Sequence, residues 1–156
     1  MVTVRHALAP GRAAVAPLQA RLACEDVVRA SFRLIDQGRA TQAADLYAVD
    51  GTLTLTDATT AVADVTLRGG DIHAAMRQRE AEDRRTVHVL TPSSFRLAAP
   101  DEAELESHLQ VYGLGSDPAA APLPRALSQV HDVLARGGDG EWRISARRIT
   151  ILAGSR

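Results

Sequence analysis

The sequence lacks lysine entirely, since all 18 of its basic residues are arginine. A lysine Schiff base, covalently attached pyridoxal phosphate and the lysine of a phosphate-binding loop are therefore excluded. The arginines nearly balance 19 acidic residues, which leaves a formal net charge of −1. Nucleic-acid binding requires a basic patch, and none stands out along the sequence, so we predict no nucleic-acid partner.

Cysteine and long apolar runs are also scarce. Cys24 is the single cysteine, which excludes an intrachain disulfide and fits a cytoplasmic location. No run approaches the roughly 20 apolar residues of a membrane span, so we predict no membrane partner. Residues 1–23 are rich in alanine and proline, and they predict a flexible N-terminal tail before one domain over residues 24–153.

The patterns that are present predict an α+β domain. Apolar residues spaced three and four apart predict a helix from Cys24 to Gln37, and Gly38 suits its end. A short helix near residues 40–47, a hairpin over residues 52–67 and a third helix after the next glycine pair follow. Alternating segments then predict four long antiparallel strands, over residues 86–97, 103–114, 125–136 and 142–152. Helices beside an antiparallel sheet indicate the α+β class.

Five stretches, in the expected order, resemble the SnoaL-like branch of the nuclear-transport-factor-2-like superfamily. They are LIDQG at 34–38, ADLYAVDG at 44–51, LRGGDI at 67–72, RTVHVLT at 85–91 and GEWRI at 140–144. The resemblance implies a cone-shaped α+β barrel, with N-terminal helices packed in a highly curved antiparallel sheet around a pocket. Members include scytalone dehydratase, ketosteroid isomerase, limonene epoxide hydrolase and polyketide cyclases, whereas others only bind a ligand or a partner. Members often pair through the outer face of the sheet, so the resemblance also implies a homodimer.

Asp36 and His88 are the predicted acid/base pair. Asp36 lies in the last turn of the first helix, at the negative end of the helix dipole, and Phe32 lies one turn before it. The dipole and the apolar ring both disfavour the charged form of the carboxyl group, which suits it to proton exchange. His88 lies in an apolar run on a strand that should line the cone, where a neutral imidazole can pass protons. The resemblance implies acid/base roles for both, because scytalone dehydratase has such residues at the matching places.

Tyr112 is the third predicted catalytic residue. A hairpin turn at residues 99–102 places His88 opposite Tyr112 or Gly113 on the next strand. From there the tyrosine hydroxyl can donate a hydrogen bond to a substrate oxygen. We expect the ligand to contact apolar side chains of the same interior, namely Phe32, Leu53, Met76, Leu90 and Trp142.

The other polar residues predict no metal site and no cofactor. Three histidines, His88, His108 and His131, fall on successive strands and could in principle hold a metal ion. The register, however, separates His108 from the position opposite His88 by about five residues, roughly 16 Å along a strand. Arg147 and Arg148 point to opposite faces of the last strand, where we expect a surface ion pair. The alternative is that one of them meets a carboxylate in the pocket.

Two functions fit these observations. The first is a cofactor-independent enzyme in which Asp36 and His88 transfer protons and Tyr112 polarises an oxygen of a small apolar metabolite. Isomerisation, cyclisation, dehydration and epoxide opening all remain open to it. The second is a module of the same fold that binds a small molecule or forms a dimer without catalysis.

Overall fold

A computed structural model describes residues 12–154 except residues 83 and 118, with side chains described from residue 16 onward. Three helices and six strands follow one another along this part of the chain. The elements are α1 (Arg12–Asp36), α2 (Ala40–Ala44), β1 (Tyr47–Asp57), β2 (Val65–Arg68), α3 (Gly70–Ala81), β3 (Thr86–Ala99), β4 (Glu102–Gly113), β5 (Leu123–Arg136) and β6 (Trp142–Gly154). The predicted α+β cone fold is confirmed.

The six strands form one sheet in the order β2-β1-β6-β5-β4-β3. Strand β1 runs parallel to β6, whereas every other neighbouring pair is antiparallel. The prediction of a wholly antiparallel sheet was wrong at this pairing, because the last strand returns beside the first one in the same direction. Register shifts interrupt four of the five pairings, and such bulges bend a sheet toward a closed shape.

Helix α1 begins earlier than the sequence predicted. It starts at Arg12 rather than Cys24, so residues 12–23 are helical rather than a tail, and residues 1–11 lie outside the described residues. Alanine, leucine, arginine and glutamine favour helices, and Ala20 and Ala23 continue the apolar spacing that packs against the core. None of the described helices is long and apolar enough to cross a membrane.

The core lies between α1 and the concave face of the sheet. Val28 and Phe32 of α1 meet the inward side chains of the strands, among them Leu105, Val130 and Ile144, and all five are buried. Each such side chain contributes about 1.5–3 kcal/mol when it leaves water. This packing fixes the C-terminal end of α1 against β3, where the predicted acid/base residues lie.

Strand β1 also extends beyond its predicted start. It begins at Tyr47, and its pairing with β6 is irregular between Tyr47 and Thr52. A Cβ atom at Gly51 would lie 2.9 Å from the carbonyl oxygen of Ala48 and 3.0 Å from that of Ile144. Glycine is therefore required here by the close approach of the backbones.

Candidate active site

Asp36 and His88 meet at the end of α1. The side chain of Asp36, the last residue of α1, crosses to His88 near the start of β3. His88 Nδ1 lies 2.5 Å from Asp36 Oδ1, and the backbone N–H of His88 donates to Asp36 Oδ2 at 2.9 Å. Two contacts from one residue fix both oxygens of the carboxylate and the plane of the imidazole.

The pair is half enclosed. The side chain of His88 is 9% exposed and that of Asp36 is 20% exposed. Burial lowers the pKa of His88 below its ordinary value, against an opposing effect of the Asp36 hydrogen bond and charge. The imidazole is therefore neutral at neutral pH, and the contact is a hydrogen bond from Nδ1–H to the carboxylate rather than an ion pair. Nε2 then carries the lone pair and is available as a proton acceptor.

A cleft of about 470 Å³ opens beside this pair. Two of the predicted ligand contacts, Phe32 and Leu90, line it together with Asp36 and His88. The Phe32 ring lies 5.2 Å from the imidazole at an angle of 32°. The cleft thus offers an apolar wall next to a proton acceptor, and contact of these two residues with a ligand stays a prediction.

A hydrogen-bonded chain that the sequence analysis missed extends from Asp36. Thr86 Oγ1 donates to Asp36 Oδ1 at 3.3 Å and accepts from Arg79 Nη2 at 2.8 Å. Burial is the main cause that lowers the pKa of Arg79, and Asp36 opposes it. Thr86 is two residues from His88 and shares its side of β3, a signal that strand alternation alone could have supplied.

A second pair that the sequence analysis misjudged lies deeper inside the sheet. Arg147 Nε donates to Asp132 Oδ1 at 2.6 Å, and Arg147 Nη1 donates to Ser31 Oγ at 2.9 Å. The side chains of Arg147 and Asp132 are 2% and 0% exposed, so the expected surface ion pair is wrong for Arg147. Arg148 does form a surface pair, with Asp64.

The buried pair touches the wall of the cleft through Phe32. The guanidinium carbon of Arg147 lies 4.5 Å from the centre of the Phe32 ring, within range of a cation–π contact. Burial alone would lower the pKa of Arg147, but Asp132 and Tyr47 hold it above its ordinary value. Arg147 therefore stays charged and holds Phe32 in place against His88.

Tyr112 does not face this interior. Bulges at Ala98 and Ser93 each shift the β3–β4 register by one residue, so His88 pairs with Val111 instead of Tyr112 or Gly113. A one-residue shift moves a side chain to the other face of the sheet. The Tyr112 hydroxyl lies on the outer side, where it donates to Gln110 Oε1 at 3.0 Å. The prediction that the Tyr112 hydroxyl faces the interior of the cone was therefore wrong.

Three of the five predicted ligand contacts also lie away from the cleft. Leu53 is buried in the core, and Met76 packs against the core from α3. Trp142 is mostly buried at the start of β6, where it lines a different cavity of about 960 Å³ beside the first turns of α1. The sequence correctly predicted apolar, inward side chains but not the end of the sheet at which each one lies.

Other reactive residues do not add to the site. Cys24 is buried, and burial raises its pKa to about 12, so the thiol is not a nucleophile. Within the described residues, no group of three or more histidine, cysteine or acidic side chains could hold a metal ion. His131 lies near Glu104 at 3.8 Å, on a partly exposed surface far from His88.

Comparison with solved structures shows that other proteins share this fold. An NTF2-like protein with a cystatin-like fold from Novosphingobium aromaticivorans is 22% identical, with a TM-score of 0.70, and the match covers 92% of this chain and 88% of that one. ActVI-ORFA from Streptomyces coelicolor is 19% identical, with a TM-score of 0.69 over 85% and 98% of the two chains. A candidate scytalone dehydratase from Novosphingobium aromaticivorans is 15% identical, with a TM-score of 0.72 over 91% and 90%.

These structural likenesses show a shared fold. No curated protein matches the sequence. The model of the SnoaL-like domain matches residues 16–148, which is most of the chain and contains both Asp36 and His88. The chain therefore belongs to the family of SnoaL-like domains.

Proposed function

We propose that this chain is a cofactor-independent acid/base enzyme that acts on a small, largely apolar metabolite. The observation that carries the proposal is the hydrogen bond between His88 Nδ1 and Asp36 Oδ1 at the edge of a cleft. A neutral imidazole held by a carboxylate is a general base whose second nitrogen faces away from its partner. Membership of a family that includes isomerases, cyclases and dehydratases supports this chemistry without naming the substrate.

The first chemical step is removal of a proton from the ligand by His88 Nε2. The imidazolium that forms is stabilised by Asp36, which already accepts the Nδ1–H. If the proton comes from carbon next to a carbonyl, its return to another atom gives isomerisation, and attack by the resulting enolate on a second carbonyl gives cyclisation. Loss of a neighbouring hydroxyl as water, after protonation by His88, gives dehydration. If Nε2 instead removes a proton from water, the water oxygen attacks an epoxide carbon, the carbon–oxygen bond of the ring breaks, and the imidazolium returns its proton to the alkoxide.

Proton exchange tests the step that the carbonyl reactions share. We would incubate the protein with a panel of bicyclic aromatic ketones in D₂O and follow deuterium at the carbon next to the carbonyl by mass spectrometry. The proposal expects exchange with at least one ketone, and loss of that exchange in Asp36→Asn and His88→Gln.

Asp45 and His73 provide a matched control, because they form an exposed aspartate–histidine contact of 3.9 Å elsewhere on the surface. Asp45→Asn should exchange at the wild-type rate. Wild-type exchange in folded Asp36→Asn and His88→Gln would contradict the acid/base proposal and favour a module that only binds its ligand.

We also propose that two copies pair through the outer face of the sheet. Val89, Leu127 and Leu152 are exposed apolar side chains on the strands β3, β5 and β6. A second copy would cover this apolar surface, which is costly to leave in water. Sedimentation should give a dimer mass for the wild type and a monomer mass for Leu127→Glu, while a monomeric wild type would overturn the pairing.

A further inference from the structure

Four arginines line a single groove at the end of the sheet next to the acid/base pair. Arg79 comes from the last turn of α3, Arg84 and Arg85 from the link to β3, and Arg125 from the start of β5. The groove has a volume of about 840 Å³, and Glu82 is the one carboxylate among its described lining residues. We call this feature the arginine groove. Its lining therefore carries a surplus of positive charge in a chain whose net charge is −1.

Three of these guanidinium groups have unused donors. Arg84 is bound to Glu82. Arg79, by contrast, donates to the hydroxyl of Thr86 at 2.8 Å, and Arg85 reaches only a carbonyl oxygen at 3.4 Å. Arg125 makes no side-chain hydrogen bond or ion pair with any residue that the structure describes. Elsewhere on the surface, Arg96, Arg143 and Arg148 each bind a carboxylate, whereas Arg68 reaches only a carbonyl oxygen.

The position of Arg125 depends on a glycine. A Cβ atom at Gly113 would lie 2.6 Å from Nε and 3.4 Å from Cζ of Arg125. The guanidinium group therefore lies directly against the backbone at the end of β4, in space that any other residue at position 113 would fill. A side chain at position 113 would therefore displace the guanidinium group of Arg125 from this place.

The arginine groove adjoins the candidate active site. Thr86 and Val111 line it, and Val111 is the residue paired with His88 across β3 and β4. Arg79 connects to Asp36 through one hydroxyl, that of Thr86. Asp36 and Arg79 are therefore separated by one side chain, a distance that a small ligand can span.

We propose that Arg79, Arg85 and Arg125 form a subsite for an oxyanion group, a phosphate or a carboxylate, on the molecule that reacts at the Asp36–His88 pair. This inference rests on the proposed function for the identity of the reacting end. Guanidinium groups bind both kinds of oxyanion through paired N–H donors, and they remain charged at every physiological pH. The metabolite then has an apolar body in the cleft and an anionic end in the arginine groove.

Calorimetric titration of the full chain at low salt tests the subsite directly. The probes are inorganic pyrophosphate, for phosphate, and 2-naphthoate, for a carboxylate on an apolar body. We expect one or both to bind, and Arg125→Gln to weaken that binding by about tenfold or more, as loss of one charge-assisted contact predicts. Gly113→Ala should weaken it in the same direction although every arginine is retained.

Arg68→Gln is the matched control, because Arg68 is an exposed arginine on β2, at the opposite edge of the sheet. It removes the same charge and should change binding by less than about twofold, since its distance from the groove leaves only a screened effect. Binding of neither probe, or equal weakening by Arg68→Gln and Arg125→Gln, would overturn the subsite. Pyrophosphate binding alone assigns a phosphate group, and naphthoate binding alone assigns a carboxylate.

The Asp36→Asn variant separates this inference from the proposed function. It should retain or slightly strengthen anion binding, because it removes a negative charge near Arg79 without removing an arginine. Anion binding that depends on Arg125, together with unchanged proton exchange in Asp36→Asn, would keep the subsite and overturn the catalytic proposal. Loss of exchange in Asp36→Asn without Arg125-dependent anion binding would keep the catalytic proposal and overturn the subsite.

Discussion

Two carboxylates on the concave side of the sheet each bind a basic side chain from another element, yet only one of them lies at an opening. Asp132 is 0% exposed, and Arg147 occupies both of its oxygens. Asp36 is 20% exposed, and its partner His88 has a second nitrogen for which the described residues supply no hydrogen bond.

The difference between the two pairs lies in the basic partner as much as in burial. Arginine does not lose its proton in the range where proteins are folded, so the Asp132–Arg147 pair stays charged and closed. Histidine titrates near neutral pH, so the Asp36–His88 pair can take up and release a proton. We call Asp132–Arg147 the closed pair and Asp36–His88 the open pair. The same fold thus uses one acid/base contact for packing and offers the other for chemistry.

The largest effect should come from breaking the closed pair. We expect Asp132→Asn to lower the free energy of unfolding by about 3–5 kcal/mol, because it leaves the buried guanidinium of Arg147 without its carboxylate. Urea unfolding followed by circular dichroism measures this loss.

Two variants control for simple loss of charge. Arg148→Gln removes the exposed pair with Asp64 and should cost less than about 1 kcal/mol. The double variant Asp132→Leu/Arg147→Met replaces the buried pair by apolar side chains and should recover most of the loss. If Asp132→Asn lowered the free energy of unfolding no more than Arg148→Gln does, the buried pair would not be the one that stabilises the fold.

The open pair should respond in rate rather than in stability. We expect Asp36→Asn to slow ketone proton exchange by about 10²- to 10³-fold, because the imidazolium loses its charged partner and the Nδ1–H its acceptor. The free energy of unfolding should change by only about 1 kcal/mol, since the carboxylate is partly solvated. A large loss of stability with unchanged exchange in surviving folded protein would reverse the assignment of the two pairs.

The pH dependence gives a finer test of the open pair. Burial lowers the pKa of His88 below 6.5, so the exchange rate should rise with pH and have its midpoint below pH 6.5. Unfolded His88 takes up its proton at a higher pH than folded His88 does. Its contribution to stability is therefore complete above about pH 6.5 and is lost as the pH falls through the folded pKa.

Nuclear magnetic resonance of the histidine rings reports this titration, and His88→Gln identifies the signal. The pKa of His88 should fall further in Asp36→Asn, because the carboxylate opposes the effect of burial. A midpoint above 6.5 for His88 would mean that the carboxylate outweighs burial and that the resting imidazole is charged.

The sequence was sufficient for the order of elements and for the Asp36–His88 contact, because both follow from local patterns and from the family resemblance. Strand alternation placed His88 inward, and helix spacing placed Asp36 beside Phe32. The closed pair was not predictable, since nothing local distinguishes Arg147 from Arg148 as the buried one. The bulge at Ser93 was missed although Pro92 stands directly before it, and proline inside a strand is confined to sheet edges and bulges.

Tyr112 shows what that bulge decides, and it supplies the smallest predicted effect. With the expected register its hydroxyl would point into the cone beside His88; with the observed register it donates to Gln110 on the outer face. We therefore expect Tyr112→Phe to change ketone proton exchange by less than about twofold, because an exposed hydroxyl bonded to a neighbour contributes little to chemistry on the other side of the sheet. A loss of tenfold or more would mean that the working register in solution lacks the bulge at Ser93, so that Tyr112 faces the cone beside His88.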